Sequence, residues 1–223
     1  MNNKHIISLL PIHWFGDRPA YESSPLRVVT VGLNPSDREF RPNDNTQISK
    51  DFRFPDFDGT EEGLKKALNN YFNVNPYHAW FKSSFGAVLK SFDASFNNGA
   101  KNTALHTDIC SPWATIPTWS KLGDDVCQEL ETEGKILWKN LMIELLPDVI
   151  LFSSSPNHHH KIDFPSPDKE WKNIDVGAKR PLLVRKFDIG TKTTHVLFQV
   201  QGRKPFLQTA KEEKLKFKQH IIV

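Results

Sequence analysis

The sequence predicts an α/β protein: a three-layer sandwich with a short, mostly parallel central sheet flanked by helices. Three observations predict it. Arg27–Val31 is an apolar run rich in β-branched residues and closed by Gly32-Leu33-Asn34-Pro35, the pattern of a buried strand feeding a tight turn. Leu141 to Ser153 reads as the end of a helix, then Pro147, then a short apolar run, which is how an α/β crossover reads. Pro181–Ile189 and Thr194–Val200 are strand-like and joined by Gly190-Thr-Lys-Thr193, a connection short enough for a hairpin. No internal repeat or low-complexity tract divides the chain. One domain over residues 1–223 is therefore expected, long enough to bury a substantial core.

The elements follow in order. After the Asn34-Pro35 turn, Ser36 to Gly59 is rich in Asp, Arg, Pro and Asn and reads as a long irregular segment, uncommon in a compact domain unless it binds something. Glu61 to Phe72 is helical by spacing, with Leu64, Ala67, Leu68, Tyr71 and Phe72 on one face and Asn75-Pro76 as its stop. Trp80, Phe81, Phe85, Val88 and Leu89 suggest a second helix running to about Phe92. Thr103–Cys110 reads as a strand stopped by Ser111-Pro112, and Asp124–Leu146 as a helix interrupted at Gly134. Asp148–Ser153 is a further strand, Asn157–Arg180 is polar loop, and Thr209–Gln219 is a basic amphipathic helix after the hairpin.

A hydrophobic content of 38% and a charged content of 25% describe an ordinary soluble globule. No apolar stretch approaches the roughly 20 residues of a membrane helix, and the apolar part of the first 11 residues is too short for a signal peptide. Cys110 and Cys127 are too few for a disulfide framework, so a cytoplasmic setting is expected. Net charge is +3 but unevenly placed: Lys179–Val223 holds 11 Lys and Arg against 3 Asp and Glu. A basic C-terminal segment suits a phosphate-backbone surface and equally a solvated helix face.

The first turn carries the chemistry. At the carboxyl end of a parallel strand it faces the crevice where open α/β sheets bind ligands. Pro35 restricts the residue before it, so Asn34 is a rigid amide able to orient a water or a ligand carbonyl. Asp37, three residues on, is a carboxylate able to accept a proton. Both residues also suit a turn-capping role through side-chain-to-backbone bonds. His158-His159-His160 suggests a metal, yet three successive loop histidines do not all face one way, and no metal or other cofactor is expected.

Gly32-Leu33-Asn34-Pro35 resembles the first motif of the uracil-DNA glycosylase superfamily, closest to the Gly-x-Asn-Pro form of its mismatch-specific and single-strand-selective branches. Thr107-Asp108-Ile109-Cys110-Ser111-Pro112-Trp113 resembles the second motif, with Asp108 where the family commonly has Asn, and Leu141–Phe152 is similar to the family's helix and Pro-x-Val-Ile strand. In the third motif Gln201 falls at the His or Asn position, and Gly202-Arg203 replaces Pro-Ser. The resemblance runs from Arg27 to Phe206. Asn75-Pro76-Tyr77-His78 echoes the Asp-Pro-Tyr-His of the main uracil-removing branch but lies between helical patterns, and reads as coincidence.

The resemblance implies a glycosylase-like fold and a DNA glycosylase that hydrolyses the N-glycosidic bond of a damaged or mismatched, uracil-like base in repair. Such an enzyme encloses a base taken out of the stack. Asn34 inherits the water-positioning role, with Asp37 beside it. Gly32, Leu33 and Pro35 line the base pocket, Phe54 (chosen from Phe52, Phe54 and Phe57, any one of which equally suits a core or lid-packing position) stacks on the base, and Asp108 and Gln201 read and hold it. An ionised Asp108 only accepts hydrogen bonds and so favours an exocyclic amine over the O4 of uracil, or leaves no base specificity at all; it equally suits a strand-end carboxylate bonded to backbone amides. Ser36, Arg38, Gly202, Arg203 and Lys204 face the nucleic-acid strand, Arg203 and Lys204 equally suiting exposed hairpin-end charges. The expected partner is DNA, single- or double-stranded, met by a monomer. A catalytically inactive member of the fold that binds nucleic acid or a nucleotide is the alternative, and a small-molecule hydrolase using the same crevice is a third.

Overall fold

The computed structural model describes residues 4–41, 48–49, 53–77, 85–97, 99–201, 204–207 and 209–221. The first strand, β1 (Val28–Gly32), is buried at every position, as its unbroken β-branched run requires. It pairs in parallel with β3 (Asn102–Asp108) on one side and β4 (Val149–Ser154) on the other. The short β2 (Ala94–Ser95) runs parallel to β3, and β7 (Lys192–Val200) runs parallel to β4. β6 (Leu182–Ile189) and β5 (Lys172–Ile174) extend the sheet antiparallel, giving seven strands in the order β2-β3-β1-β4-β7-β6-β5. The protein is thus α/β with a mostly parallel, mixed sheet.

Local chemistry sets the boundaries. The helix α1 (Arg18–Glu22) is capped by Asp17, which accepts from the Ala20 N–H at 3.1 Å. The 14-residue α2 (Glu61–Val74) starts at Thr60, whose hydroxyl accepts from the Gly63 N–H at 3.0 Å, and ends at Asn75 as the Asn-Pro pair predicts. A further helix, α3 (Gly86–Ser91), leads into β2; residues 78–84, where the second predicted helix begins, lie outside the described residues. The 22-residue α4 (Asp124–Leu145) closes on Leu146 in a left-handed conformation, and Pro147 then passes the chain into β4.

Four expectations are corrected. α4 is continuous through Gly134, because the helix lies so close to Cys110 and Ser111 that a Cβ at 134 overlaps the Cys110 carbonyl oxygen and stands 2.7 Å from the Ser111 Cα. The predicted 157–180 loop contains a 3-10 turn, Pro156–Lys161, and the edge strand β5. The C-terminal helix is two short pieces, α5 (Lys211–Lys214) and a 3-10 turn over Phe217–His220, because Phe217 turns inward onto Phe206 at a 5.8 Å ring separation. Within it Lys214 is only 6% exposed, not a solvated position, and burial lowers its pKa.

Beside the sheet lies an aromatic core that includes the proposed stacking residue. Phe54 is 2% exposed and packs against Phe15, Phe40 and Tyr71 at ring separations of 6.4, 5.8 and 5.7 Å. Phe15 is exchanged with β3 through two backbone bonds to His106 (2.8 and 3.0 Å), which seat it at the sheet edge near the end of that strand.

Candidate functional site

Four parallel strands end side by side, and their carboxyl ends open into one cavity of about 360 Å³. That volume lies within the range of about 300–1,000 Å³ typical of small-molecule sites. The turn Gly32-Leu33-Asn34-Pro35-Ser36 after β1, Asp108 at the end of β3, Ser153–Ser155 at the end of β4, and Gln201 after β7 all line it. Register makes this happen: Gly32 pairs with Asp108, Ser154 with Val200, and the Gln201 N–H donates to the Ser154 carbonyl at 2.7 Å. The first-strand turn is held to the loop after β3 by Cys110 N–H to Leu33 O (2.8 Å) and Ile109 N–H to Gly32 O (3.0 Å).

Asn34 does not cap its own turn. Its Nδ2 donates to the Trp113 carbonyl (3.3 Å) and to the Thr115 hydroxyl oxygen (3.0 Å), about 80 residues away. A carbonyl only accepts, so this pairing fixes which end of the amide is nitrogen. Thr115 in turn donates to the Pro117 carbonyl at 3.1 Å. With both amide hydrogens engaged, Oδ1 is the atom Asn34 retains for a further partner on the cavity wall.

Asp37 lies elsewhere. Its Oδ2 accepts from the Arg41 Nε at 2.8 Å, it opens the 3-10 turn Asp37–Phe40, and it is not among the lining residues. The carboxyl that does line the cavity from this segment is Glu39, 3% exposed. Tyr71 donates its hydroxyl to Glu39 in a short hydrogen bond, and the Arg53 Nε lies 3.7 Å away. Burial raises the Glu39 pKa to about 7, with the Tyr71 bond and Arg53 opposing the rise. The Tyr71 oxygen also accepts from the Tyr77 N–H at 2.9 Å, which ties the lining residue Tyr77 to the same group.

On β3, His106 and Asp108 share a face by the two-residue period of a strand. The Thr30 hydroxyl oxygen lies 2.8 Å from His106 Nδ1 and 3.3 Å from the Leu105 carbonyl oxygen. His106 Nε2 lies 3.8 Å from Asp108 Oδ1. Burial lowers the His106 pKa to about 3 and leaves the ring neutral near pH 7. Burial, and secondarily Glu39, raises the Asp108 carboxyl well above the ordinary carboxylate range. Asp108 Oδ2 is buried with no hydrogen-bond partner among the described residues.

Of the sequence-predicted residues, Gly32, Leu33, Asn34, Pro35, Ser36, Asp108 and Gln201 come together on the cavity. Phe54 is core, and the aromatic walls are Phe15, Tyr77 and Trp119. Arg38 and Lys204 do not line the cavity; the Arg38 carbonyl accepts from the Arg53 Nε at 3.3 Å. Gly202 and Arg203 lie outside the described residues, as does Phe52. Tyr77 lines the wall although its motif sits away from the first-strand turn.

Sequence reasoning did not find Glu39, His106 or Phe15. Only His106 carried a readable signal, as the residue two before Asp108 on one strand. Two of the three histidines take separate partners: His158 Nδ1 pairs with the Ser154 hydroxyl at 2.7 Å and His159 Nδ1 with the Pro156 carbonyl at 2.7 Å. Among the described residues no group of three His, Cys, Asp or Glu side chains is arranged to hold a metal, and no helix is long and apolar enough to cross a membrane. No protein-family model matches the chain, and no curated protein or solved structure matches it.

Proposed function

We propose that this chain is a uracil-DNA glycosylase-like hydrolase with a three-layer α/β arrangement, cleaving the N-glycosidic bond of an extruded, damaged or mismatched base in DNA. The observation that carries the reading is that the first-strand turn and Gln201, far apart in sequence, line one cavity of nucleobase-compatible size. Asn34 Oδ1 orients a water, and Glu39, replacing Asp37 in this role, takes its proton in the ionised form. The water oxygen bonds to the anomeric carbon as the carbon–nitrogen bond breaks. The bonding pair leaves with the base, towards which the Gln201 amide donates, and the base takes up a proton on release. Phe15, Tyr77 and Trp119 supply the aromatic walls, replacing Phe54.

The test is an abasic-site cleavage assay across oligonucleotides carrying uracil, hypoxanthine and mismatched bases. In it Asn34→Ala lowers the rate by about a hundredfold, the usual cost of misplacing a reacting group. An unchanged rate in that variant removes the mechanism.

One observation favours a second reading, a binding protein of the same architecture without catalysis. Gln201 stands where the resembled family has a His or Asn, and loss of one charge-stabilising donor costs about a hundred- to a thousandfold in rate. Oligonucleotide binding that weakens steeply with salt, without base release, selects it.

A further inference from the structure

We propose that Tyr71 is a positioning residue of the cavity: its buried hydroxyl anchors one oxygen of the Glu39 carboxyl, leaves the other to meet a water in the cavity, and ties both to the Tyr77 wall. This rests on the reading of Glu39 as the group that takes the water's proton, and names what aims it.

Tyr71 is not among the residues that line the cavity. It lies on α2, fully buried, with its ring packed against Phe15 at 4.8 Å and Phe54 at 5.7 Å, so the hydroxyl reaches Glu39 on a ring held by its neighbours. The Tyr77 N–H can only donate, so the Tyr71 oxygen accepts from it at 2.9 Å, and the one hydroxyl hydrogen goes to Glu39 Oε2. The Arg53 Nε lies 3.7 Å from the same Oε2, too far for a hydrogen bond, and supplies charge rather than direction. The Arg53 guanidinium lies 5.3 Å from the centre of the Tyr77 ring and donates to the Asn75 carbonyl at 3.0 Å, which braces the wall from its other side. Among the described residues Tyr71 is thus the one hydrogen-bond donor to the Glu39 carboxyl.

Both contacts fall on Oε2, and Oε1 is the oxygen left for a cavity water. A carboxylate anchored through one oxygen presents the other along a fixed line. Without the anchor it turns about its last bond, and a misplacement of about 1 Å costs about a hundredfold in rate. The groups around Glu39 are Tyr71 from α2, Arg53 from the irregular segment, and Asp108 and the neutral His106, which line the same cavity from β3. The Tyr71 bond and Arg53 favour the ionised carboxyl against burial, so loss of the hydroxyl moves the Glu39 titration to higher pH.

Two substitutions test the assignment. Tyr71→Phe removes the hydroxyl and keeps the ring. Tyr71→3-fluorotyrosine, introduced at this one site, keeps both and makes the phenol a stronger acid and a stronger donor. Base release from uracil-, hypoxanthine- and mismatch-containing oligonucleotides is followed against pH. Carbon-13 NMR of the Glu39 carboxyl, assigned by its loss in Glu39→Gln, follows the same titration without substrate. Tyr71→Phe moves the inflection up in both measurements, and Tyr71→3-fluorotyrosine moves it down. Above the inflection Glu39 is ionised in every protein, so a difference there reports position alone. On that plateau kcat of Tyr71→Phe is about ten- to a hundredfold lower, with KM little changed.

An unchanged plateau or inflection in folded Tyr71→Phe overturns the proposal, and so do shifts of the same sign in both variants, the mark of loosened packing. The fluorinated protein carries the test even if Tyr71→Phe folds poorly. Opposite NMR shifts without base release from any oligonucleotide remove the hydrolase reading and leave the anchoring of Glu39 by Tyr71 standing. Base release whose inflection is indifferent to both substitutions does the reverse.

Discussion

On the proposed hydrolase reading, Glu39→Gln is expected to lower the rate of base release by about a hundred- to ten-thousandfold, the range for loss of a positioned general base, and to abolish the pH dependence the base imposes. Glu39 lines the cavity, and burial raises its pKa to about 7. The working form of a base is the ionised one, so kcat/KM of the unaltered chain rises with pH through about 7 and then levels. In Glu39→Gln the residual rate does not show this step. A pH–rate profile from 5 to 9 on both proteins is the measurement, and an unchanged inflection in the variant assigns the base elsewhere.

The same carboxyl acts on stability in the opposite sense. Between its ordinary pKa of 4.5 and about 7, the folded chain keeps a proton that the unfolded chain has released. Stability is therefore highest below this window and falls as pH rises through it, by about 3 kcal/mol at 1.36 kcal/mol per pKa unit. Glu39→Gln removes this contribution, so the wild-type-minus-variant difference in unfolding free energy falls by about 3 kcal/mol across the window. Tyr71 keeps an acceptor in the variant, so the hydrogen bond from its hydroxyl is retained.

The contrast between Asn34 and Glu39 shows what a sequence carries. The first-strand turn was legible because everything that makes it is local: a β-branched run, a glycine, and a proline that restricts its neighbour. Glu39 was not, because its environment comes from Tyr71 on α2 and from Arg53 in the irregular segment. Phe54 and Phe15 show the same limit. Phenylalanines in one short segment are equivalent in sequence, and packing against Phe40 and Tyr71 decides that Phe54 is core. Phe15 reaches the cavity because a non-local bridge to His106 carries it there. The edge strand β5 is three residues, Lys172–Ile174, too short to show alternation. The interruption assigned to Gly134 weighed a local propensity of about 1 kcal/mol and omitted the close backbone approach that only glycine permits.

That approach gives the second large effect: Gly134→Ala destabilises the fold even though alanine is the better helix former. In a helix interior the substitution gains about 1 kcal/mol of propensity. Against it, the new methyl overlaps the Cys110 carbonyl oxygen and lies 2.7 Å from both the Cys110 carbonyl carbon and the Ser111 Cα. These are backbone atoms of a fixed loop, not the end of a flexible side chain. The Cys110 and Ser111 N–H groups both donate to the Leu33 carbonyl, at 2.8 and 3.2 Å, so the loop cannot yield without dragging the first-strand turn. Overpacking of this kind costs about 1–3 kcal/mol and occasionally more. With contact to backbone on three atoms the upper end applies, and the clash outweighs the propensity by about 2 kcal/mol. For a chain of 223 residues that lowers Tm by roughly 4–8 °C. Because Trp113 and Thr115, which hold the Asn34 amide, follow in the same loop, base release also falls at temperatures where the variant is fully folded. Calorimetric unfolding with a rate measured well below Tm separates the two effects, and a raised Tm in Gly134→Ala means that helix and loop part more easily than this contact implies.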